Sequence, residues 1–433
     1  PSIEIIETEF IRCTQTNTVA TSKVGGAIVL TANSIGTTPV TFTRCKFESN
    51  VAATKGGAIF IDCASDVRIS ACNFSSHTNC QNGAAIYISS QAKSVLIDDN
   101  TEFTFNEATT FGNAICLENG ITNPITINQA TFTNCGTNGI RSGQVIYSDA
   151  SPLIFSNSTI QFDNNLNAAM GIYIKSQANI SITDSTIHNC RGSTVSGGLN
   201  YNTNTFNEDT SYTFQLLNTI FDNNLAGNGR SFNGYFTRPP EIMSVTVRNH
   251  QPGTFIFVII TPNSYTDEIT LTDCIFDNNT FTNENDNIDS GGCGIWISNR
   301  NTILYELSVI FKNCQFTNNT SIGPGGAISY SFNPSLRYVQ LTFHNCTFAN
   351  NSCQTYGGAL AINTNKLTTI SDCVFVSNAG NQGNSLYFGP SSSVKIINTT
   401  FLDDDINGSS IIFKGRKIEV IESDLDFNEE EEE

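Results

Sequence analysis

Cys314-Gln-Phe316-Thr-Asn-Asn319, followed by Gly325-Gly326-Ala327-Ile328, is the stretch that decides the fold. The same phrase stands at Cys45-Lys-Phe47-Glu-Ser-Asn50 before Gly56-Gly57-Ala58-Ile59, and at Phe348-Ala-Asn-Asn351 before Gly357-Gly358-Ala359-Leu360. Working outward, the aromatic mark recurs at Phe10, Phe47, Phe74, Phe103, Phe132, Phe162, Ile187, Phe221, Phe276, Phe316, Phe348, Phe375, Phe401 and Phe427. Most of its intervals, at about 25 to 40 residues, are those of stacked repeats, with one break of about twice the usual length between Phe221 and Phe276. Between turns lie short alternating or β-branched runs such as Val67-Arg-Ile69-Ser and Asn179-Ile-Ser-Ile182, with no helix-period apolar run.

The fold class this predicts is all-β: a right-handed parallel β-helix of roughly 13 coils, each contacting only its neighbours. Coils about 4.8 Å apart would stack the motif Phe residues into an inner aromatic ladder. The motif Asn is expected to take a left-handed turn conformation and to bond neighbouring backbone. Paired glycines supply positive φ or close backbone approach. The structural ladder is therefore assigned to Phe47, Asn50, Gly56, Gly57, Phe316, Asn319, Gly325, Gly326, Phe348, Asn351, Gly357 and Gly358.

This alternation resembles the polymorphic membrane proteins of chlamydiae, defined by GGA(I/L/V) and FxxN repeats, and related surface repeat proteins of protists. The resemblance implies a surface-displayed β-helix, often adhesive, without catalytic residues. The bacterial members' C-terminal outer-membrane barrel is not recognisable here.

One domain is read over residues 1–428, with an irregular insertion near 225–265 and an acidic tail at 429–433. The insertion holds Arg238-Pro239-Pro240, Asn249-His250-Gln251-Pro252-Gly253 and the apolar run from Phe255 to Ile260. It reads either as a degenerate coil with an ordinary loop or as a projecting recognition loop. The apolar run is too short to span a bilayer. The chain opens at Pro1 and reads as a mature or excised piece. Ile3-Glu-Ile-Ile near the start resembles Ile418-Glu-Val-Ile near the finish, which suits either ordinary coil boundaries or head-to-tail association.

A formal net charge of -18 leaves no basic stripe for phosphates, so nucleic acid is not an expected partner. Of fourteen cysteines, Cys45, Cys72, Cys274, Cys314, Cys346 and Cys373 precede a motif Phe by two residues, as small buried hydrophobes. Two pairs bracket a Phe turn, Cys72 with Cys80 and Cys346 with Cys353. Each is either a turn-stapling disulfide or a pair of buried thiols. Among the glycosylation sequons, Asn73, Asn318 and Asn350 are the named candidates, the last two because their turns should face solvent.

No catalytic, metal or cofactor residue is assigned. The acidic groups Asp98-Asp99 and Asp403-Asp404-Asp405 are expected to lie far apart in the stack and to lack a nearby Arg or His; His77, His188, His250 and His344 are scattered as turn or surface residues. Asn283 to Asp289 departs from the calcium-loop pattern and reads as an acidic loop. The expected function is non-enzymatic: an extracellular or cell-surface repeat protein in adhesion, with a surface protein or glycan receptor. The alternative is a fibre-forming structural protein whose partners are its own copies end to end; a polysaccharide-active β-helix enzyme stands third.

Overall fold

The computed structural model describes the chain except for residues 1, 16–22, 137–142, 164–167, 193–195, 203–211, 227–230, 237, 251–256, 262–266, 282–294, 300–306, 331–338, 403–408, 424–426 and 429–433. The acidic tail, the Asp403 triplet and the Asn283–Asp289 loop therefore lie outside the described residues. The chain is a right-handed parallel β-helix. Where the sequence reads as one domain, it groups into two compact units: Pro1–Gln215 with Asn224–Gly227, and Leu216–Asn223 with Asn228–Glu433.

Each coil of the first unit follows one path. A first-sheet strand such as Val40–Thr43 ends at a left-handed residue, Arg44, and Cys45 turns the chain into a second-sheet strand, Lys46–Glu48. Another left-handed residue, Ser49, brings in the buried Asn50, and after the Gly56-Gly57 turn the third-sheet strand Ile59–Asp62 begins. Strands pair in parallel with their equivalents one coil on, as in Val40↔Val67, Phe47↔Phe74 and Ile59↔Ile86. Among the described residues the first sheet has seven strands wholly within this unit and seven within the second, with Phe214–Leu217 at the division, where roughly 13 coils are expected. A single short helix, Ala32–Ile35, interrupts the strands of the first unit among the described residues.

The inner aromatic ladder is present in both units. In the first, Phe10, Phe47, Phe74, Phe103 and Phe132 stack with ring centroids 4.6–4.9 Å apart. In the second, Phe276, Phe316, Phe348, Phe375 and Phe401 continue at 4.7–5.2 Å. Such pairs add about 0.5–1.5 kcal/mol each beyond their burial. Two marks need correcting. The position after Phe132 belongs to Ile160, not Phe162, and Phe427 pairs with Ile411 in the third sheet.

The glycine pair divides its labour. Gly56, Gly325 and Gly357 have φ of 66°, 69° and 65°, and a Cβ on Gly56 would meet the Ile59 carbonyl oxygen at 2.3 Å. The second glycine faces the next coil: a Cβ on Gly57 would sit 2.1 Å from the Ala84 carbonyl oxygen and one on Gly358 2.1 Å from that of Asn384. Only glycine satisfies both conditions.

The motif Asn differs from expectation in one respect. The left-handed residue is the one before it (Ser49, Asn318, Asn350), while Asn50, Asn319 and Asn351 are buried in a hydrogen-bonded ladder. Asn351 Nδ2 donates to the Phe316 carbonyl at 2.9 Å and to Asn378 Oδ1 at 3.1 Å, and its Oδ1 accepts from Asn319 N–H at 3.2 Å and Asn319 Nδ2 at 3.0 Å. The amide stacks coil upon coil because its donors and acceptor project along the axis as well as into the turn. His77 and His250 occupy the same buried position, which corrects their reading as turn or surface residues.

Within 225–265, residues 227–230, 237, 251–256 and 262–266 lie outside the described residues, and the described ones form regular strands. Phe232–Tyr235, Glu241–Met243 and Thr246–Arg248 are strands of a regular coil, with Val247 in register between Phe221 and Phe276 at the motif position. Val fills the aromatic slot, so the sequence mark disappears while the coil remains. Phe257–Thr261, in the apolar run, pairs with Phe232–Tyr235.

Candidate recognition site

Outward positions on the third sheet hold what the interior does not need. In the first unit Val29, Phe60, Tyr87, Cys116, Tyr147 and Tyr173 are in register, one per coil. Phe60 and Tyr87 stack at 5.7 Å, as do Tyr147 and Tyr173. This stripe is closed over. Lys55 Nζ lies 4.4 Å from the Tyr87 ring centre and 2.8 Å from Glu118 Oε1, and Phe111 stacks on Tyr147 at 4.5 Å. Burial works against the Glu118 carboxylate, but bonds from Lys55 and Tyr87 outweigh it and hold its pKa below the usual range. Burial, reinforced by Glu118, pushes the Tyr87 phenol up.

In the second unit the equivalent outward positions are Ser329, Ala361, Tyr387 and Ile412. Two consecutive small residues leave a hollow, and Tyr356, stacked on Tyr387 at 4.7 Å, forms its wall. Pro324, Asn363 and Gly389-Pro390 complete a cavity of about 170 Å³. Tyr356 is placed by its carbonyl, which accepts from Gly325 N–H at 2.9 Å. Asn363 is fixed by its N–H to the Tyr330 carbonyl at 2.7 Å and by its Oδ1, which accepts from Ser391 N–H at 3.2 Å. A Cβ on Gly389 would fall 2.6 Å from Asn363 Cγ, so glycine there makes room for the amide. Among the described residues no charged side chain lines the hollow.

The residues singled out from the sequence fall elsewhere. The ladder residues build the scaffold. The thiols of the two proposed disulfide pairs are free: Cys72 Sγ lies 3.3 Å from the Ser70 carbonyl oxygen, whereas Cys80 Sγ is 3.3 Å from that of Asn82. Likewise Cys346 Sγ faces the Phe311 and His344 carbonyls while Cys353 sits apart near Ser352. The first cysteine of each pair belongs to the turn column leading into the second sheet, where stacking replaces cross-linking. Asn318 and Asn350 are exposed at left-handed positions, and Asn73 is half-buried with Nδ2 3.3 Å from Glu102 Oε2. Asp98 and Asp99 do have an arginine beside them, from the preceding coil: Arg68 contacts Asp98 Oδ2 at 2.9 Å and Asp99 Oδ2 at 2.8 Å. Among the described residues no three His, Cys, Asp or Glu side chains converge as a metal site, and no helix is long and apolar enough to cross a membrane. The hollow itself was missed because it needs a register: the small residues and the two tyrosines come together only by stacking three coils.

A family model for the right-handed β-helix region matches residues 26–230. A model of the Chlamydia polymorphic membrane protein repeat matches residues 313–331. That match is local, one repeat ending beside the hollow. No curated protein matches. A solved alginate lyase mutant, AlyGC of the PL6 family, is similar at 8% identity over 97% of this chain and 94% of that one, with a TM-score of 0.18. So low a score carries no argument about activity.

Proposed function

We propose that this chain is a surface-displayed, non-enzymatic β-helical recognition protein, acting in adhesion. The observation that carries the reading is the outward-facing tyrosine-walled hollow, mounted on a scaffold of glycine turns and buried amide ladders. Exposed aromatic concavities on a rigid frame are what binding surfaces are made of. The chlamydial-type repeat at 313–331 supports a surface setting. Adhesion is tested by flow cytometry of intact cells incubated with the fluorescently labelled, full-length chain. Saturable binding displaced by unlabelled chain is expected; binding no greater than that of a labelled, unrelated acidic protein overturns the reading. Release of reducing or unsaturated ends from polysaccharides by the purified chain would overturn its non-enzymatic part.

A further inference from the structure

We propose that the hollow between Tyr356, Tyr387 and Asn363 binds one ring of a neutral carbohydrate. The inference rests on the recognition reading and names the ligand class. Shape comes first. About 170 Å³ is small beside the roughly 300–1,000 Å³ of a whole-ligand pocket, so it takes one ring with the rest of a chain outside. The wall is the Tyr356–Tyr387 pair, inclined at 29°, which presents an aromatic surface to the apolar C–H face of a sugar.

The second argument is polarity. Ser329 and Asn363 line the hollow beside this surface, and Asn363 is held by its backbone N–H bond to Tyr330 and its Oδ1 bond from Ser391 N–H. Hydroxyl and amide groups at the margin of an aromatic floor match a ligand that is apolar on its faces and hydroxylated around its rim. Charge then narrows the class. A uronate, sulfate or phosphate would meet no cation among the described lining residues, on a protein of net charge -18. A cationic ligand would meet no carboxylate among them. The neutral ring is left.

The third argument is comparison of outward positions. In the first unit the corresponding column carries Phe60, Tyr87, Tyr147 and Tyr173, which fill the surface; in the second, Ser329 and Ala361 hold it open. Tyr387, in the same column and sheet as Ser329 and Ala361, is itself bulky, so the hollow can be filled without breaking a coil.

The test uses saturation-transfer NMR and titration calorimetry on the full-length chain. The probes are neutral hexose oligomers, oligouronates and a proline-rich peptide; the variants are Tyr387→Ala and Ser329→Tyr, each checked by far-UV circular dichroism. Expected is saturable binding of a neutral oligomer, weakened at least tenfold by both variants, and no binding of the uronates. The inference is overturned if no neutral oligomer binds, if binding survives both variants, or if the peptide binds and the sugars do not. Cell binding that persists undiminished in both variants sinks the sugar site while leaving the recognition reading intact; loss of all cell binding by the unaltered chain sinks the latter.

Discussion

Asn350 and Asn351 are adjacent and chemically identical, yet the fold asks opposite things of them. Replacing Asn351 by Leu keeps the branched shape and removes the amide. Asn319 Nδ2 retains the Phe276 carbonyl at 2.9 Å, and Asn378 Oδ1 retains the Asn351 N–H at 3.0 Å. The Asn319 N–H is left unpaired, and the Phe316 carbonyl keeps only its strand pairing with the next coil. A buried, unpaired N–H costs about 1–3 kcal/mol and the lost bond to the carbonyl about 1 kcal/mol, so Asn351→Leu should destabilise by about 3 kcal/mol. Asn350 is exposed at φ 55°, where alanine costs about 1–2 kcal/mol for the left-handed conformation alone. Urea unfolding followed by far-UV circular dichroism, with comparable slopes checked between variants, measures the difference. If Asn351→Leu costs no more than Asn350→Ala, the buried amide ladder is not what holds the turns.

His77 makes a pH prediction. Burial lowers its pKa to about 4 from 6.5, and Nδ1 accepts from the Asn50 N–H at 2.9 Å, leaving Nε2 buried without a partner. The neutral form is favoured in the fold, so stability is full above pH 6.5 and is lost as the pH falls through 4, by about 3 kcal/mol at the limit. His77→Asn should flatten this dependence in denaturation midpoints between pH 7 and pH 4; an unchanged slope refutes it. Burial also pushes the Cys72 and Cys80 thiols up to about 12. Both should resist a thiol-alkylating reagent in the native protein at pH 8 and take it in denaturant without reductant, read by peptide mass spectrometry. Failure of either cysteine to label under denaturing, non-reducing conditions would indicate a disulfide. Gly358→Ala should cost more than about 3 kcal/mol or prevent folding, because its Cβ meets the Asn384 carbonyl oxygen at 2.1 Å and backbone cannot step aside; a soluble variant with wild-type melting would contradict this.

The coil was legible because its marks are forced. Gly56 and Gly57 cannot be other residues, and a ladder position that buries a ring in every coil repeats Phe visibly. Where physics tolerates substitutes, the reading slipped. Val247 fills the slot between Phe221 and Phe276 as a smaller apolar group, so the mark of that coil is absent from the sequence. His77 satisfies an Asn position by accepting a backbone N–H, and this cannot be inferred from the residue type. The left-handed residue was placed one position late because an Asn-Asn pair such as Asn350-Asn351 offers two equivalent candidates, and only the exposed one has positive φ.

Partners across coils were the harder class, and the reason is geometric. In a parallel stack every residue's nearest foreign neighbour lies a full repeat away in sequence, and that repeat varies. Arg68 reaches Asp98 and Asp99 across 30 and 31 positions; Tyr356 meets Tyr387 across 31; Asn319 meets Asn279 across 40. A one-residue error in coil length turns an outward side chain inward, so surface chemistry is fixed only once the register is known. The same property makes such a surface open to change: exchanging Ser329 or Ala361 for a larger residue alters the outer face while the Phe, Asn and Gly columns stay untouched. Recognition on a β-helix of this kind can therefore vary coil by coil without altering the frame that carries it.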